Sequence, residues 1–341
     1  MGTGTWSVPV PPWRATPALR WSELNSSTGG PGHPLQDPGR EGMARREGPQ
    51  GGAPLRWRIL REPPAGGAWN MAVDEALARC RAPGEATLRI YRWARPTLSF
   101  GRNQPARGRY DETVAPLIGA EVVRRPTGGR EVLHDRELTY SIILPLRRLG
   151  GLREAYAEVN AGLVDALRSL GIAAEAAPRL GRSPGPEAGA CFAVAAPGEV
   201  TVAGRKLVGS AQARVEGSLL QHGSLLLALP SLSLEAFRAP PTSDAGGPVS
   251  SGVQPQRHGL EGAVTLQEIL EGERREGVSS GNVDGAAAGV VSFPAVAGAV
   301  ESALAGRFGG EWRRDDLRDE EHAVARSLLP HYQSTSWTWR R

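Results

Sequence analysis

Residues 199–227 read EVTVAGRKLVGSAQARVEGSLLQHGSLLL. Three apolar-rich pieces, 199–203, 206–212 and 218–227, follow one another with glycine-containing breaks between them. Pieces of this length bounded by turn residues read as strands joined by hairpins. Serial hairpins build antiparallel pairs, whereas parallel neighbours need a long crossover. The stretch therefore predicts an α+β fold, with a mixed, mostly antiparallel sheet flanked by helices.

The rest of the chain fits around this series. A further strand-like piece surrounds Cys191, and LTYSIILP (138–145) reads as a buried strand. LRWRILR (55–61), TLRIYRW (87–93), PTLSFG (96–101) and EVVRR (121–125) are the other strands, with PTGGR (126–130) as a turn. A helix is expected over 69–80, with Asn70 as its cap, Asp74 and Glu75 in its first turns, and Cys80 on its buried face. The strongest helical period runs over 152–170 and Gly171 stops it. Short helices are expected at 264–273, 295–307 and 319–329, and Tyr332, Trp337 and Trp339 mark a tail that docks on the body.

Composition sorts the 341 residues into segments. Residues 1–54 are rich in Pro, Gly, Ser and Arg without a period, so they read as a disordered or mis-started extension. Residues 55–237 form the patterned body, 238–292 a low-complexity insertion with a short helix, and 293–341 a helical segment packed on the body. Nothing approaches the ~18 consecutive apolar residues of a membrane helix. A net charge of +4 is too mild for a nucleic-acid binder with a dense basic stripe. Two cysteines exclude a disulfide scaffold and a thiolate-cage zinc site, and they fit the reducing cytoplasm.

Of the 40 basic residues, one alone is lysine, Lys206. Lys is a compact donor that can lose its proton at working pH, and Arg cannot. Lys206 sits between a Gly204 turn and a strand of small residues, Gly209, Ser210 and Ala211, which leave room for something to lie against it. Cys191 lies 15 residues earlier, and a hairpin turning at Pro197-Gly198 returns Lys206 to face it. A cation beside a thiol raises its thiolate fraction; the plainer reading is an inert cysteine. The other polar constellation is Arg124-Arg125-Pro126-Thr127-Gly128-Gly129-Arg130-Glu131, followed by His134. Consecutive N–H groups in such a glycine turn can receive an anion or a carbonyl oxygen, although a hairpin turn with solvated arginines explains the same residues. The spacing matches neither a Walker A loop nor a dinucleotide fingerprint. His134 and His222 lack metal-ligand spacing, so no metal is expected, and each suits a general base or a structural hydrogen bond equally. No Ser/His/Asp order stands out.

Together, NMAVDEAL (70–77), TLRIYRWARPTLSFGRNQ (87–104), RRPTGGREVLHDRELTYSI (124–142), VAGRKLVGSAQ (202–212) and LLQHGSLLL (219–227) resemble the biotin/lipoate protein ligase and octanoyltransferase superfamily. The resemblance runs in order from about Leu55 to Pro230, and weakly around 317–337. Ligases of this superfamily usually carry three glycines where this chain has Gly128-Gly129-Arg130. That difference, the Cys191-Phe192 pair and Lys206 are similar to the cysteine-dependent octanoyltransferases. Glu131 departs from the small residue usual there.

The resemblance implies transfer of an octanoyl group from octanoyl-acyl carrier protein to a lysine of a lipoyl domain or of the glycine cleavage H protein, in protein lipoylation. Cys191 carries the acyl group as a thioester, and Lys206 favours the thiolate and positions the carbonyl. Arg125, Thr127, Gly128, Gly129, Arg130, His134, Gly209, Ser210 and Ala211 bind the acyl chain and its carbonyl. No ATP, metal or redox cofactor is implied, and no nucleic acid or membrane. Acidic protein partners suit the arginine excess. Three competing readings are an ATP-dependent lipoate ligase, an octanoyl or lipoyl amidotransferase between carrier domains, and a non-catalytic carrier-binding protein on the same fold.

Overall fold

In the computed structural model the described residues are 53–178, 185, 190–238, 259–275 and 292–341. All of them belong to one unit spanning Gly48–Arg341. In chain order its elements are β1 (Arg56–Arg61), α1 (Gly67–Arg79), β2 (Glu85–Tyr91), β3 (Thr97–Phe100), α2 (Val114–Leu117), β4 (Glu121–Arg124), β5 (Val132–His134) and β6 (Glu137–Pro145). Then come α3 (Leu152–Ser169), β7 (Ala174–Ala176), β8 (Val200–Val202), β9 (Arg205–Val215), β10 (Ser218–Leu226) and a 3-10 turn at Leu234–Phe237. The chain closes with α4 (Leu266–Arg275), α5 (Phe293–Phe308), β11 (Glu311–Arg314), α6 (Asp319–Gln333) and α7 (Thr335–Thr338).

The hairpin series behaves as its residues dictate. Gly204 and Gly217 take positive φ (+73° and +80°) at the two turns, a conformation that side chains resist. β8, β9, β10 and β6 pair antiparallel in succession. The main sheet has the order β11-β1-β2-β6-β10-β9-β8-β7, with β1 parallel to both β2 and β11. This is the mixed, mostly antiparallel sheet that the hairpins predict. A second sheet, β4-β3-β5, lies beside it.

Helices cover both faces. α3 and α5 pack on one face against Leu88, Ile90, Ile142 and Leu144, and Gly162 lets Leu304 of α5 come so close that a Cβ would lie 2.6 Å from it. α1 and α6 cover the other face around Leu60, Ile143 and Leu220. Both faces of β6 are buried: Leu138, Tyr140, Ile142 and Leu144 belong to the α3/α5 side, Ile143 packs on the α1 side, and Thr139 and Ser141 alternate with the apolar residues.

Several expectations are corrected. Helix α1 starts at Gly67 with Gly66 as its cap, so Asn70 is a buried internal residue and Asp74 lies in the middle of the helix. Asn70 donates to the carbonyls of Ala65 and Arg92. Cys80 caps the end of α1 and is only half-buried. Cys191 lies in a turn, not a strand: the Ala193 N–H donates to Ala190 O. Residues 259–262, expected in a linker, pack tightly on that turn. The strand β11 was not expected at all: it completes the edge of the main sheet, and Trp312 stacks on Trp57 at 4.3 Å. The rest of the proposed extension and most of the 238–292 insertion lie outside the described residues. Trp337 and Trp339 do dock, Trp337 Nε1 donating to Arg124 O at 2.9 Å and Trp339 lying 5.3 Å from the Phe100 ring.

Candidate active site

The turn at Pro197-Gly198 and the short β8 fold the chain back so that β9 begins beside the Cys191 turn. Lys206, at the start of β9, is completely buried. Its ammonium has three acceptors: Cys191 Sγ at 3.3 Å, Cys191 O at 2.8 Å and Glu199 Oε1 at 2.7 Å. Glu199 is itself buried, and its second oxygen accepts from the Ala196 N–H at 2.6 Å. A buried charge without a partner is costly, and Glu199 is the partner of opposite sign that the one lysine meets in the interior. It was not picked out from the sequence, where nothing distinguishes it from a surface glutamate.

The segment that returns after the insertion fastens this pair. Lys206 N–H donates to Gly262 O and Val264 N–H donates to Lys206 O. A Cβ on Gly262 would lie 2.1 Å from Ala193 O, and one on Gly259 would lie 2.9 Å from Ala190 Cβ. Residues 259–264 thus touch the cysteine turn and the lysine strand together.

The glycine turn approaches from the other side. Arg125 is fully buried, and burial pulls its guanidinium below the ordinary value, partly offset by the charges of Cys191 and Glu131. It donates to Gly128 O at 2.8 Å, Arg130 O at 2.7 Å, and Ser99 O and Oγ at 3.1 Å. Thr127 O accepts from Arg102 N–H. With these carbonyls turned inward, the N–H groups of Gly128 and Gly129 meet no acceptor among the described residues. Gly129 sits at φ +91°, and Gly101 admits it: a Cβ at 101 would lie 1.9 Å from Gly129 O. Arg130 donates to the carbonyls of Cys191 and Val194, and Cys191 N–H donates to Glu131 O. The Glu131 carboxylate is buried on Gln104 and Tyr110.

Thr127 makes a contact that the sequence did not suggest. Its Oγ1 is 2.6 Å from His222 Nε2, and His222 Nδ1 is 2.9 Å from Asp74 Oδ2. Burial pushes the His222 imidazole below its ordinary value, and the Asp74 bond only partly offsets this. Burial would raise Asp74, but Arg89 at 2.7 Å and the His222 bond hold its carboxyl below the usual range. Neutral His222 therefore donates from Nδ1 and accepts the Thr127 hydroxyl at Nε2. His134 stands in a parallel arrangement, with Nδ1 2.7 Å from Glu137 Oε1, Nε2 2.7 Å from Ser99 Oγ, and its ring stacked on Trp93 at 4.0 Å.

Two spaces meet at Cys191. A narrow inner cavity, about 430 Å³ of empty space with its mouth included, lies between the main sheet and the glycine turn. Met71, Tyr91, Trp93, Val132, Thr139 and Ser224 line it, together with Arg125, Gly129, His134, Gly209, Ser210, Ala211 and His222. A wider cleft of about 1880 Å³, open to solvent, runs past Gly128, Arg130, Arg153, Tyr156 and Glu199. Cys191, Gly129, Ser210 and Ala211 border both. Of the residues read from the sequence, Thr127 and Lys206 line neither space; Thr127 contacts His222 and Lys206 contacts Cys191 from behind them. No group of three His, Cys, Asp or Glu side chains placed to hold a metal occurs among the described residues.

Residues 67–258 match the lipoyl protein ligase A/B catalytic domain. This chain belongs to that family. The octanoyltransferase LipM of Kyrpidia tusciae is 36% identical over 294 residues, covering 84% of this chain and 99% of the relative. LipM of an Exiguobacterium species is 33% identical over 296 residues, with 84% and 98% covered. Among solved structures, the bipartite lipoate protein ligase of Thermoplasma acidophilum superposes with a TM-score of 0.58 at 21% identity, over 84% of this chain and 96% of that one. At that identity the likeness concerns the fold.

Proposed function

We propose that this chain is an octanoyltransferase of protein lipoylation that carries the acyl group on Cys191. The observation that carries the reading is the position of Cys191 Sγ, 3.3 Å from the Lys206 ammonium where the inner cavity meets the outer cleft. An acyl chain lies in the inner cavity and the sulfur-bearing arm of its donor in the cleft. The Cys191 thiolate attacks the donor thioester carbonyl; the new Cys191 thioester forms and the carrier thiolate leaves and is protonated. The acceptor lysine then attacks from the cleft as a free amine, the amide forms, and the Cys191 thiolate leaves as the amine proton is lost. The Gly128 and Gly129 N–H groups face the charge that develops on the carbonyl oxygen in both steps, and Lys206 supports charge on sulfur.

The donor in this reading is octanoyl-acyl carrier protein, and the acceptor a lipoyl domain or the glycine cleavage H protein. Both cysteines are free thiols, which fits a cytoplasmic location, and no described helix is long and apolar enough to cross a membrane. Neither step consumes a nucleotide. The test is intact mass after incubation with octanoyl-acyl carrier protein without ATP, for wild type and Cys191→Ala. One hydroxylamine-labile octanoyl group, absent in the variant, supports the reading. No adduct, together with ATP-dependent acylation of an acceptor that survives Cys191→Ala, sinks it.

A further inference from the structure

The inner cavity crosses the sheet rather than following a strand. Cross-strand partners Gly209↔Ser224, Ser224↔Thr139 and Thr139↔Tyr91 form one unbroken row over β9, β10, β6 and β2. Directly opposed residues face the same side, and all four line the cavity. At the near end a Cβ on Gly209 would lie 3.0 Å from Lys206 Cε and 3.2 Å from Phe192 Cζ, which places that end beside Cys191. The side chains grow along the row from none to Ser, Thr and Tyr, so the floor rises away from the sulfur.

Three strand spacings of ~4.8 Å put Tyr91 ~14 Å from Gly209. Subtracting a contact distance of ~4 Å leaves ~10 Å for a chain. Seven bonds of ~1.5 Å each in zigzag, the length of an octanoyl group, span ~9 Å, and the eleven of a dodecanoyl group ~14 Å. The far wall is mostly immovable. Tyr91 donates to Asp74 and lies under the Arg89 guanidinium at 3.8 Å. Trp93 is stacked on His134 and its Nε1 donates to Glu137 and Thr139. Met71 of α1 is the exception: it is buried, lines the same end, and carries no hydrogen-bonding group to fix it. An unbranched thioether adapts its shape to what it touches.

We propose that the Gly209–Ser224–Thr139–Tyr91 row is the acyl-length gauge of this enzyme and that Met71 sets its stop. The inference rests on the acyl-cysteine reading above. Its test is competition among equimolar hexanoyl-, octanoyl-, decanoyl- and dodecanoyl-acyl carrier proteins, read as the mass of the Cys191 adduct, for wild type, Met71→Ala and Met71→Phe. Wild type should take octanoyl at least about tenfold over dodecanoyl, a cut-off comparable to that of a few methylenes in an apolar pocket. Met71→Ala should move the maximum to decanoyl or dodecanoyl, and Met71→Phe toward hexanoyl. Adducts that keep the wild-type length profile in both variants overturn the gauge and leave the cysteine reading standing. Absence of any adduct in wild type overturns both.

Discussion

The glycine turn at 126–130 and the cysteine turn at 190–194 meet at one sulfur, yet they are held by different means. Buried side chains tie the first: Arg125 gathers its carbonyls, the Asp74–His222 pair holds Thr127, and Gly101 seats Gly129. Hydrogen bonds to backbone and the close passage of residues 259–264 hold the second, and Val194 within it stays exposed. The contrast follows from what each turn meets. Donors aimed at a developing oxyanion work best when they need no reorganisation, and Arg125 and His222 leave the glycine turn no other arrangement. In the proposed reaction the sulfur is reached by a carrier arm and then by a lysine, which a thin turn bordering two spaces permits.

The largest expected effect comes from the link between the two turns. Lys206→Met should slow Cys191 acylation by ~10²–10³-fold, the range for removing a preorganised charge donor. It also strands the Glu199 carboxylate in the interior, which costs ~3–5 kcal/mol of stability. Adding Glu199→Gln should return most of that stability and none of the rate, measured by urea denaturation and adduct formation. If the double variant regains acylation, Lys206 serves only to hold the fold.

The two tight glycines give the next contrast. Gly101→Ala drives a Cβ into the backbone of the fully tied turn and should cost ~3 kcal/mol or more. Gly262→Ala makes a similar clash with Ala193 O, but the cysteine turn can yield. Its stability loss should be ~1–2 kcal/mol, with acylation slowed about tenfold by misplacement of the sulfur. Equal melting losses in the two variants would erase the distinction between the turns.

The smallest effect is a pH dependence belonging to the glycine turn. Burial keeps His222 below its ordinary 6.5 in the folded protein, so the unfolded chain takes up its proton first as the pH drops. His222 thus contributes stability that is complete above about 6.5 and is lost as the pH falls from there toward the folded value. Asp74, also held low, loses its contribution only below its ordinary 3.8. Urea midpoints between about pH 7.5 and 5 should therefore slope downward in wild type and less steeply in His222→Gln, where His331, also lowered by burial, still contributes. A wild-type midpoint constant over that range contradicts the buried neutral imidazole.

Much of this was legible in the chain because it rests on local period or on composition. The buried strand β6, the hairpins of β8 to β10 and the register of α3 are written in consecutive residues. Lys206 stood out because every other basic residue is arginine. What stayed hidden depends on partners distant in sequence. Asp74 looked like a first-turn helix residue because Asn70 has the chemistry of a cap, and only the fold brings His222, 148 residues on, to its carboxylate. Glu199 acquires meaning from its burial with Lys206. The apolar CFAV run at 191–194 suits a strand or a buried turn equally, since its length does not discriminate. β11 is a four-residue, mostly exposed EWRR whose strand identity comes from the open edge of β1. The packing of Gly259 and Gly262 could not be separated from the glycine-rich run that precedes them.

Arg124 carries one more consequence. Its buried guanidinium donates to the carbonyls of Gly101 and Gln104 and also to those of Trp337 and Thr338. Those last two acceptors lie far outside the 67–258 stretch that carries the family's signature, as do Arg58 of β1 and the Asp315 and Glu321 that hold it. A polypeptide trimmed to the signature would keep Cys191, Lys206 and the glycine turn, and would lose two acceptors of the interior Arg124 guanidinium together with β1 and the whole Arg58 cluster. The smallest piece that can be recognised is therefore smaller than the smallest piece that can stand, and excising the motif for use as a module means taking the C-terminal segment with it.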